Sequence, residues 1–200
     1  MNISSSQANT KKQSEANISH EVQHFEEKGR INHEGYLPSE EYSRALDYLV
    51  IACVDVAFLH DNKILIGKRN VYPKKGWWII GGRMISGESP VKTAQRKAFQ
   101  EAGLEIDLTR YVYINAYSTC FAQRSQEPQN NGLHSINLTY LLLLNDHEKE
   151  QIKLINTEYE DLRWIKLDQV GSFIDVNDEL DRALLQIVQD IQILHHSKFL

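Results

Sequence analysis

Runs of apolar residues along the chain predict a domain built mainly from strands. Residues 49–59 and 63–67 are rich in apolar and β-branched side chains, and Asp61 and Asn62 between them form a typical hairpin signal. Further strands are predicted at the following segments: 77–80, 111–117, 136–144 and 161–165. Because their spacing is irregular and they enclose only two clear helices, the pattern favours an α+β sheet over repeated βαβ units.

Helical spacing of apolar residues predicts two amphipathic helices. The first covers residues 90–102, with Ser89 as its N-cap and Gly103 as its stop. Small residues form its apolar stripe, which implies close packing against the sheet: Val91, Ala94, Ala98 and Ala102. The second helix begins after Asn177, and its wider apolar stripe is interpreted as core rather than as a partner surface. A short helix capped by Ser39 is predicted at the start of the fold.

Composition separates a tail from the folded domain. Residues 1–35 are polar and have almost no apolar periodicity, so we expect a disordered tail followed by one domain over residues 36–200. No early segment resembles a signal peptide or a membrane span, and we therefore expect a cytoplasmic protein without a membrane partner. The net charge of -5 argues against broad nucleic-acid binding. Cys53 and Cys120 lack metal-ligand spacing and are interpreted as buried thiols.

A glycine-rich turn between the third strand and the first helix carries the candidate chemistry. Gly81 and Gly82 let the backbone approach phosphate oxygens closely, although many tight turns are glycine-rich for steric reasons alone. Five residues separate Gly82 from Glu88, and seven separate Glu88 from Arg96. The whole frame consists of Gly82, Glu88, Arg96, Glu101, Gly103 and Leu104. This frame resembles the Nudix box, Gx5Ex7REUxEExGU with U apolar, and the chain is therefore similar to Nudix hydrolases.

The resemblance implies a Nudix fold, in which a mixed sheet is sandwiched between helices, and a Mg²⁺ or Mn²⁺ ion that bridges the helix and a diphosphate. Lys97 and Gln100 stand where the family has glutamates, so the helix face that they share with Glu101 is nearly neutral. We therefore expect one metal ion rather than several. Two alternatives stay open: Lys97 and Glu101 form a solvated helix pair, or the Lys97 ammonium supplies part of the charge of a second metal.

Several stretches in and around the box carry a closer similarity: residues 49–58 with Asp55 in mid-strand, 64–70, 75–78, 81–83 and 160–164. In this order they look like stretches of the GDP-mannose mannosyl hydrolases of this family, and together they cover roughly residues 37–170. This similarity implies that the Gly82 carbonyl and the Glu101 carboxylate bind the metal. Glu158 stands where that branch uses a glutamine ligand, and a carboxylate is a competent substitute. The predicted metal site is therefore Gly82, Glu101 and Glu158.

The same similarity implies roles for two arginines and leaves the general base open. Arg69 and Arg83 match arginines that neutralise the leaving diphosphate, which suits the two-pronged guanidinium, while a solvated strand end is the alternative for Arg69. Glu88 and Arg96 of the box complete the predicted catalytic set. The histidine base of the branch falls on Tyr159, and a phenol is a poor base at neutral pH. Nearby substitutes by sequence are Glu160 and His134.

Other residues are predicted to bind substrate. Asp55 is a carboxylate in an apolar strand, so it either pairs with an arginine or contacts the sugar or base. Trp77 and Trp78 alternate across a strand, and Trp78 is assigned to base stacking, with core filling as the alternative. Tyr140 is counted with this set. The polar segment 121–133 either closes over the substrate or is a surface insertion.

Together these features predict a metal-dependent hydrolase that acts on a small-molecule nucleoside diphosphate derivative, with a nucleotide sugar such as GDP-mannose favoured and a homodimer as its assembly. A second enzymatic possibility is attack at phosphorus on ADP-ribose or a dinucleotide. The alternative from another class is a catalytically weak domain that binds a nucleotide as a sensor or regulatory module. Loss of the base and of two glutamates favours that module, whereas retention of Glu88, Arg96, Glu101 and Glu158 argues against it.

Overall fold

The computed structural model of the protein describes residues 21–31, 35–153 and 158–198, with side chains of the last helix described as far as Leu194. Its helices are α1 (Ser39–Leu46), α2 (Pro90–Ala102), α3 (Asp146–Gln151), α4 (Val170–Phe173) and α5 (Glu179–Lys198). Its strands are β1 (Val50–His60), β2 (Lys63–Arg69), β3 (Gly76–Trp78), β4 (Ile80–Arg83), β5 (Tyr111–Phe121), β6 (Leu133–Leu143) and β7 (Tyr159–Lys166). None of the helices in these ranges is long and apolar enough to cross a bilayer.

The strands form one mixed sheet organised around β1. The strand order is β3-β2-β1-β6-β5, while β4 also pairs with β1 and β7 also pairs with β2. β1 runs parallel to β6, and the other strand pairs are antiparallel. Because β1 is flanked by β4 and β6, polar groups on these three strands are brought close together. The mixed sheet confirms the predicted α+β class.

Helices cover both faces of this sheet, as the prediction of a sandwich requires. On one face α2 packs its small stripe on β1 through the following fully buried residues: Ala94, Ala98, Ala102 and Val54. The absence of large side chains on this stripe brings the α2 backbone close to the sheet. On the other face α5 contributes Leu184, Ile187 and Ile191 to a second core with Ala57 and Leu59. β1 therefore supplies alternate residues to two cores, which explains its nearly continuous apolar sequence.

Local signals in the sequence fix the ends of several elements. The Ser89 side chain accepts a hydrogen bond from the Lys92 amide, and α2 stops at Gly103, whose φ of 71° is left-handed. Asp61 and Asn62 adopt φ values of 46° and 58°, which are the two left-handed positions of a tight hairpin turn. These predictions are confirmed.

Four predictions need correction or stay open. Ser39 lies inside α1, whose N-cap is Pro38 and has no side-chain cap. The predicted strand 77–80 divides into β3 and β4, because the chain leaves β2 there and joins β1. Cys120 is exposed on the outer strand β5. Residues 1–20 lie outside the described residues, so the disordered tail and the domain boundary stay predictions.

A buried arginine fixes the segment between β5 and β6. Arg124 has no solvent exposure and is paired with Asp47 at 2.8 Å, just after α1. Its other donors reach the Ser43 hydroxyl at 3.0 Å and the Gly132 carbonyl at 3.1 Å. Burying a guanidinium is costly unless its donors are satisfied, so these contacts order the segment against α1. The sequence left this segment as either a closing loop or a surface insertion, and the structure shows it anchored.

We expect Arg124→Met to lower the free energy of unfolding by about 3 kcal/mol, because it removes the charge that Asp47 and the surrounding buried acceptors require. Urea unfolding followed by circular dichroism measures the change. Arg182→Met is the matched control, since Arg182 pairs with Glu179 on the exposed surface of α5, and it should change stability by no more than about 0.5 kcal/mol. Equal effects of the two substitutions would show that the Arg124 contacts do not anchor the segment.

Candidate active site

A cleft of about 360 Å³ opens beside the glycine turn, where β1, β4 and β6 meet. Six of the residues predicted to form the site line it: Asp55, Arg69, Trp78, Gly82, Arg83 and Glu158. Lys97 from α2 and Asn137 from β6 also reach its wall. The fold therefore brings most of the predicted substrate site into one place.

The ion pair of Glu88 and Arg96 holds the turn that leads into α2. Arg96 Nε and Nη2 donate to the two carboxylate oxygens of Glu88 at 2.7 and 2.8 Å, and Nη2 also donates to the Arg83 carbonyl at 3.1 Å. Thr93 adds a hydrogen bond to Glu88 at 2.7 Å. Burial alone would raise the pKa of Glu88, but hydrogen bonds from Arg96 and Thr93 hold it below its usual range. Neither partner lines the cleft, so this pair positions Arg83 rather than contacting substrate.

Gly81 allows β4 to approach the middle of β1. The two strands pair Gly81 with Asp55, and a Cβ at position 81 would overlap the Asp55 carboxylate and lie 2.6 Å from the Val54 carbonyl. Both obstacles belong to the neighbouring strand and cannot move aside without separating it from β4. This glycine is therefore explained by strand packing.

Asp55 is the centre of a buried polar row. Asn137 Nδ2 donates to Asp55 Oδ2 at 2.9 Å, Ser135 Oγ donates to Asn137 Oδ1 at 2.6 Å, and the Trp78 indole also hydrogen-bonds the carboxylate. Desolvation outweighs these contacts and raises the pKa of Asp55 from 3.8 to about 6. Among the described residues Asp55 forms no ion pair, so the arrangement favours a contact with substrate over a structural pair with an arginine.

The two predicted arginines are held at different walls of the cleft. Arg69 Nη2 lies 3.1 Å from Glu158 Oε2, and only 14% of the Arg69 side chain is exposed, so it is not a solvated strand end. Arg83 is sandwiched between two aromatic rings, with its guanidinium carbon 3.8 Å from the centroid of Tyr42 and 4.4 Å from that of Tyr36. Both guanidinium groups are therefore positioned before any ligand arrives.

A second buried carboxylate, Glu101, lies on α2 with 2% exposure. Lys97 Nζ forms an ion pair with Oε1, and the Tyr159 hydroxyl donates to Oε2 at 2.5 Å. The Lys97 chain lies against Gly82, where a Cβ would come within 2.7 Å of Cε and 2.9 Å of Nζ. Burial, together with the negative charge of Glu101, raises the pKa of Tyr159. Tyr159 is therefore not a base, and the pair of Lys97 and Glu101 is not a solvated one.

These contacts bear on the predicted metal ligands Gly82, Glu101 and Glu158. Mg²⁺ needs carboxylate oxygens that face a common point and leave room for water, yet both Glu101 oxygens have partners and Glu158 pairs with Arg69. The Lys97 side chain lies between Gly82 and Glu101. The residues present at the box therefore do not fit the divalent ion that Nudix enzymes generally use.

A different group of side chains has metal-like spacing. In the described part of the chain, His60, Asp61 and Asp146 bring one potential ligand atom each within 4.8 Å of the others. They lie where β1 ends and α3 begins, and none of them lines the cleft. This group does not supply the metal site that the box predicts.

Several predicted residues lie elsewhere. Tyr140 is 3% exposed and packs edge to face on Tyr113 in the core beneath α2, so it is a core residue and not a substrate contact. It falls on the opposite face of β6 from Asn137, as the alternation of a strand requires. His134 hydrogen-bonds Ser118 at 2.8 Å, and Glu160 pairs with Lys68 at 3.3 Å. Neither base candidate lines the cleft.

Sequence reasoning missed the polar row of β6 and the two tyrosines that flank Arg83. The row had a signal, because Ser135, Asn137 and Thr139 alternate with apolar residues in a strand that is otherwise hydrophobic. Buried polar residues on one face of such a strand indicate a hydrogen-bonding site. Tyr36 and Tyr42 had no comparable signal, since their approach to Arg83 depends on where α1 packs.

Comparisons with known proteins agree with this architecture. The family model for the NUDIX domain matches residues 51–187. The chain is 26% identical over 122 residues to an RNA pyrophosphohydrolase of Rickettsia bellii (strain OSU 85-389), covering 57% of this chain and 73% of that protein. Among solved structures, a MutT NUDIX hydrolase from Burkholderia pseudomallei is similar with a TM-score of 0.55 and 22% identity, over 70% of this chain and 98% of the other.

A further similar structure is the NUDIX domain of Shewanella oneidensis NrtR complexed with ADP ribose, with a TM-score of 0.51 and 17% identity over 78% of this chain and 99% of the other. At such identities the structural likeness concerns the fold, whereas the family model covers most of the chain. Together with the frame from Gly82 to Leu104, that match shows that the chain belongs to the Nudix hydrolase family.

Proposed function

We propose that this protein hydrolyses a nucleoside diphosphate derivative, with a nucleotide sugar of the GDP-mannose type as the favoured substrate. The observation that carries the proposal is the cleft itself, which is lined both by cationic side chains and by a buried hydrogen-bonding row. The cations that the proposal uses are Arg69, Arg83 and Lys97, whereas Lys74, which also lines the cleft, is paired with Asp178 and Asp181. Cations at one wall suit the diphosphate, and a polar row at another suits a sugar or a base.

Guanidinium groups that are held in position by the fold support binding of the diphosphate. Arg83 is fixed by the rings of Tyr36 and Tyr42 and by the Arg96 contact to its carbonyl. Arg69 is fixed by Glu158, and its buried Nε has no hydrogen-bond partner among the residues that the structure describes, which leaves one donor for a ligand. Guanidinium groups bind phosphate oxygens in a defined orientation and stabilise charge that develops on a leaving diphosphate.

Binding of the sugar or the base is supported by the polar row of Asp55, Asn137 and Ser135. As a carboxylate, Asp55 accepts hydrogen bonds from hydroxyl or N–H groups, while the amide of Asn137 offers both a donor and an acceptor. Trp78 lies beside this row at the wall of the cleft, but only 6% of it is exposed and it packs in the core on the α5 side of the sheet, as the alternative of core filling has it. A ligand rich in hydroxyl groups uses such a row better than an inorganic phosphate does, and for this reason nucleotide sugars lead the proposal. ADP-ribose and dinucleotides, with attack at phosphorus, are the second choice.

A binding module is the second candidate function, and one observation favours it. Tyr159 stands where the similar branch has its base, and its hydroxyl donates to Glu101. A group that donates in the resting site and has a raised pKa does not accept the proton of an attacking water. If no other base acts, the same cleft binds a nucleotide without turnover.

Other expectations accompany the proposal without carrying it. Mg²⁺ or Mn²⁺ is the divalent ion to supply in assays, because enzymes of this family generally use one. A small-molecule substrate, a homodimer, a cytoplasmic location and the absence of nucleic-acid and membrane partners stay predictions.

We expect the protein to turn over one or more members of a panel of nucleotide sugars, ADP-ribose and dinucleotides, assayed with Mg²⁺, with Mn²⁺ and with a chelator. Product chromatography measures the outcome. Free sugar with a nucleoside diphosphate indicates attack at carbon, whereas sugar phosphate with a nucleoside monophosphate indicates attack at phosphorus. Tight binding without turnover would support the binding module. The absence of both turnover and binding for every member of the panel would contradict the proposal.

Arg83→Gln should lower kcat/KM on the best substrate of that panel by about 100-fold, because it removes a positioned cation from the diphosphate. Arg182→Gln on the exposed surface of α5 is the control and should leave kcat/KM unchanged. Steady-state kinetics after confirmation of folding by circular dichroism measure both. An unchanged kcat/KM in Arg83→Gln would remove Arg83 from the substrate site.

Asp55 should impose a pH dependence on stability that Asp55→Asn removes. Its pKa is near 3.8 in the unfolded chain and about 6 in the folded protein, so between these values the folded state binds more protons. Raising the pH from about 4 to about 6 should therefore destabilise the wild type relative to Asp55→Asn, by up to about 3 kcal/mol. Urea unfolding of both proteins across this pH range measures the difference. Parallel stability curves would show that Asp55 titrates normally.

A further inference from the structure

We propose that the Lys97 ammonium is the resident cation of the box, and that it takes the place of the divalent ion so that the cleft binds a diphosphate without metal. This inference deepens the proposed function and rests on it for the chemical class of the ligand. It concerns this chain's own departure from the box, because the family has a glutamate where Lys97 stands. Three observations support it: the position of the Lys97 side chain, the charge that Glu101 requires, and the access of Lys97 to the cleft.

The geometry places Lys97 where the predicted metal would be. Gly82 and Glu101 were two of the three ligands expected for the ion, and the Lys97 side chain lies between them. It forms an ion pair with Glu101 Oε1, and its Nζ would be 2.9 Å from a Cβ built on Gly82. A metal at this point would have to displace the ammonium. The absence of a side chain at Gly82 leaves the room that the Lys97 chain fills.

The charge balance points the same way. Glu101 is 2% exposed, and a carboxylate in such surroundings needs a cation and hydrogen-bond donors. Lys97 supplies the cation, and Tyr159 supplies a donor to the second oxygen. Gln100, the other departure from the box, accepts a hydrogen bond from Arg96 at 3.1 Å. A divalent ion added beside Lys97 would meet a like charge without a second carboxylate on the helix to offset it.

Because the Lys97 side chain extends to the cleft, it is placed to bind a ligand as well as to stabilise Glu101. It lines the cleft together with Arg69 and Arg83, and 17% of its side chain is exposed. An ammonium has three donors in a tetrahedral arrangement, so pairing with Glu101 leaves donors for phosphate oxygens. Lys97 thus faces the diphosphate from the side of α2, while Arg69 and Arg83 face it from β2 and β4.

The first test uses Mn²⁺ alone as the probe, with the folding of each variant checked by circular dichroism. Titration followed by electron paramagnetic resonance counts the Mn²⁺ bound to the wild type and to Glu101→Gln. We expect equal counts, since Glu101 holds Lys97 and not metal. Asp146→Asn serves as the matched variant for the separate group of His60, Asp61 and Asp146, so that Mn²⁺ bound there is assigned correctly. One Mn²⁺ lost on Glu101→Gln, and retained in Asp146→Asn, would overturn the proposal.

The second test restores the glutamate that the Nudix box has in place of Lys97. Lys97→Glu should gain one Mn²⁺ that the wild type does not bind, and the double substitution Lys97→Glu with Glu101→Gln should lose it again. Two adjacent carboxylates facing Gly82 supply the ligands that Mg²⁺ or Mn²⁺ prefers. Folding of each variant is checked by circular dichroism. If folded Lys97→Glu binds no additional Mn²⁺, then Lys97 does not occupy a metal position and the proposal fails.

The third test measures binding of inorganic pyrophosphate by calorimetry in the presence of a chelator. We expect the wild type to bind without metal, and Lys97→Gln to bind about tenfold more weakly, the loss expected for one hydrogen bond between charged groups. Binding that requires Mg²⁺, or equal binding by Lys97→Gln, would overturn the proposal. None of the three readouts depends on turnover. Failure of the substrate panel is therefore distinguishable from failure of this inference.

Discussion

Glu101 is a carboxylate that is only 2% exposed, so it requires a cation and hydrogen-bond donors close to it. The groups that meet this requirement come from different elements and thereby connect the parts of the site. Lys97 comes from the same helix one turn earlier, and Tyr159 comes from β7 on the other side of β2. Lys97 also lies against the glycine turn at Gly82. One buried charge therefore connects α2, β7 and β4, and the position of each depends on satisfying it.

The sheet provides the second constraint, because β1 contributes residues to both hydrophobic cores and to the cleft. Its alternate residues fill two cores, and Asp55 is the one strongly polar side chain among the described buried residues of this strand before His60. The partner of Asp55, Asn137, is 82 residues away in sequence and becomes adjacent only because β6 runs parallel to β1. A parallel pair requires a long connection, so this part of the cleft depends on the completed fold rather than on any local segment.

Local rules predicted those features that depend on neighbours in the sequence. The cap at Ser89, the stop at Gly103, the hairpin at Asp61 and Asn62 and the small stripe of α2 all follow from backbone conformation and helical spacing. The box frame likewise placed Gly82, Glu88 and Arg96 correctly around one turn. What the sequence left undecided was which partner each charge would meet. Lys97 could have been solvated, and its burial against Gly82 depends on how closely α2 packs.

Long-range partners account for the remaining errors and omissions. Tyr140 was assigned to the substrate site, although the alternation along β6 places it in the core once Asn137 faces the cleft. The aromatic pair around Arg83 depends on α1, whose position has no signature in the sequence. The role of Arg124 was also missed, because a lone arginine in a polar segment has the appearance of a surface residue. Its burial becomes evident only with Asp47 beside it.

That arginine has a consequence for the physical extent of the domain. The family model begins at residue 51, yet Asp47 and Ser43, which satisfy Arg124, lie before that point, as do the tyrosines that enclose Arg83. The segment 122–132 forms part of the wall of the cleft through Ser125 and Gln126. Unfolding of α1 should therefore be coupled to loss of that wall. The smallest cooperative unit of this protein is then larger than the segment that the family model matches.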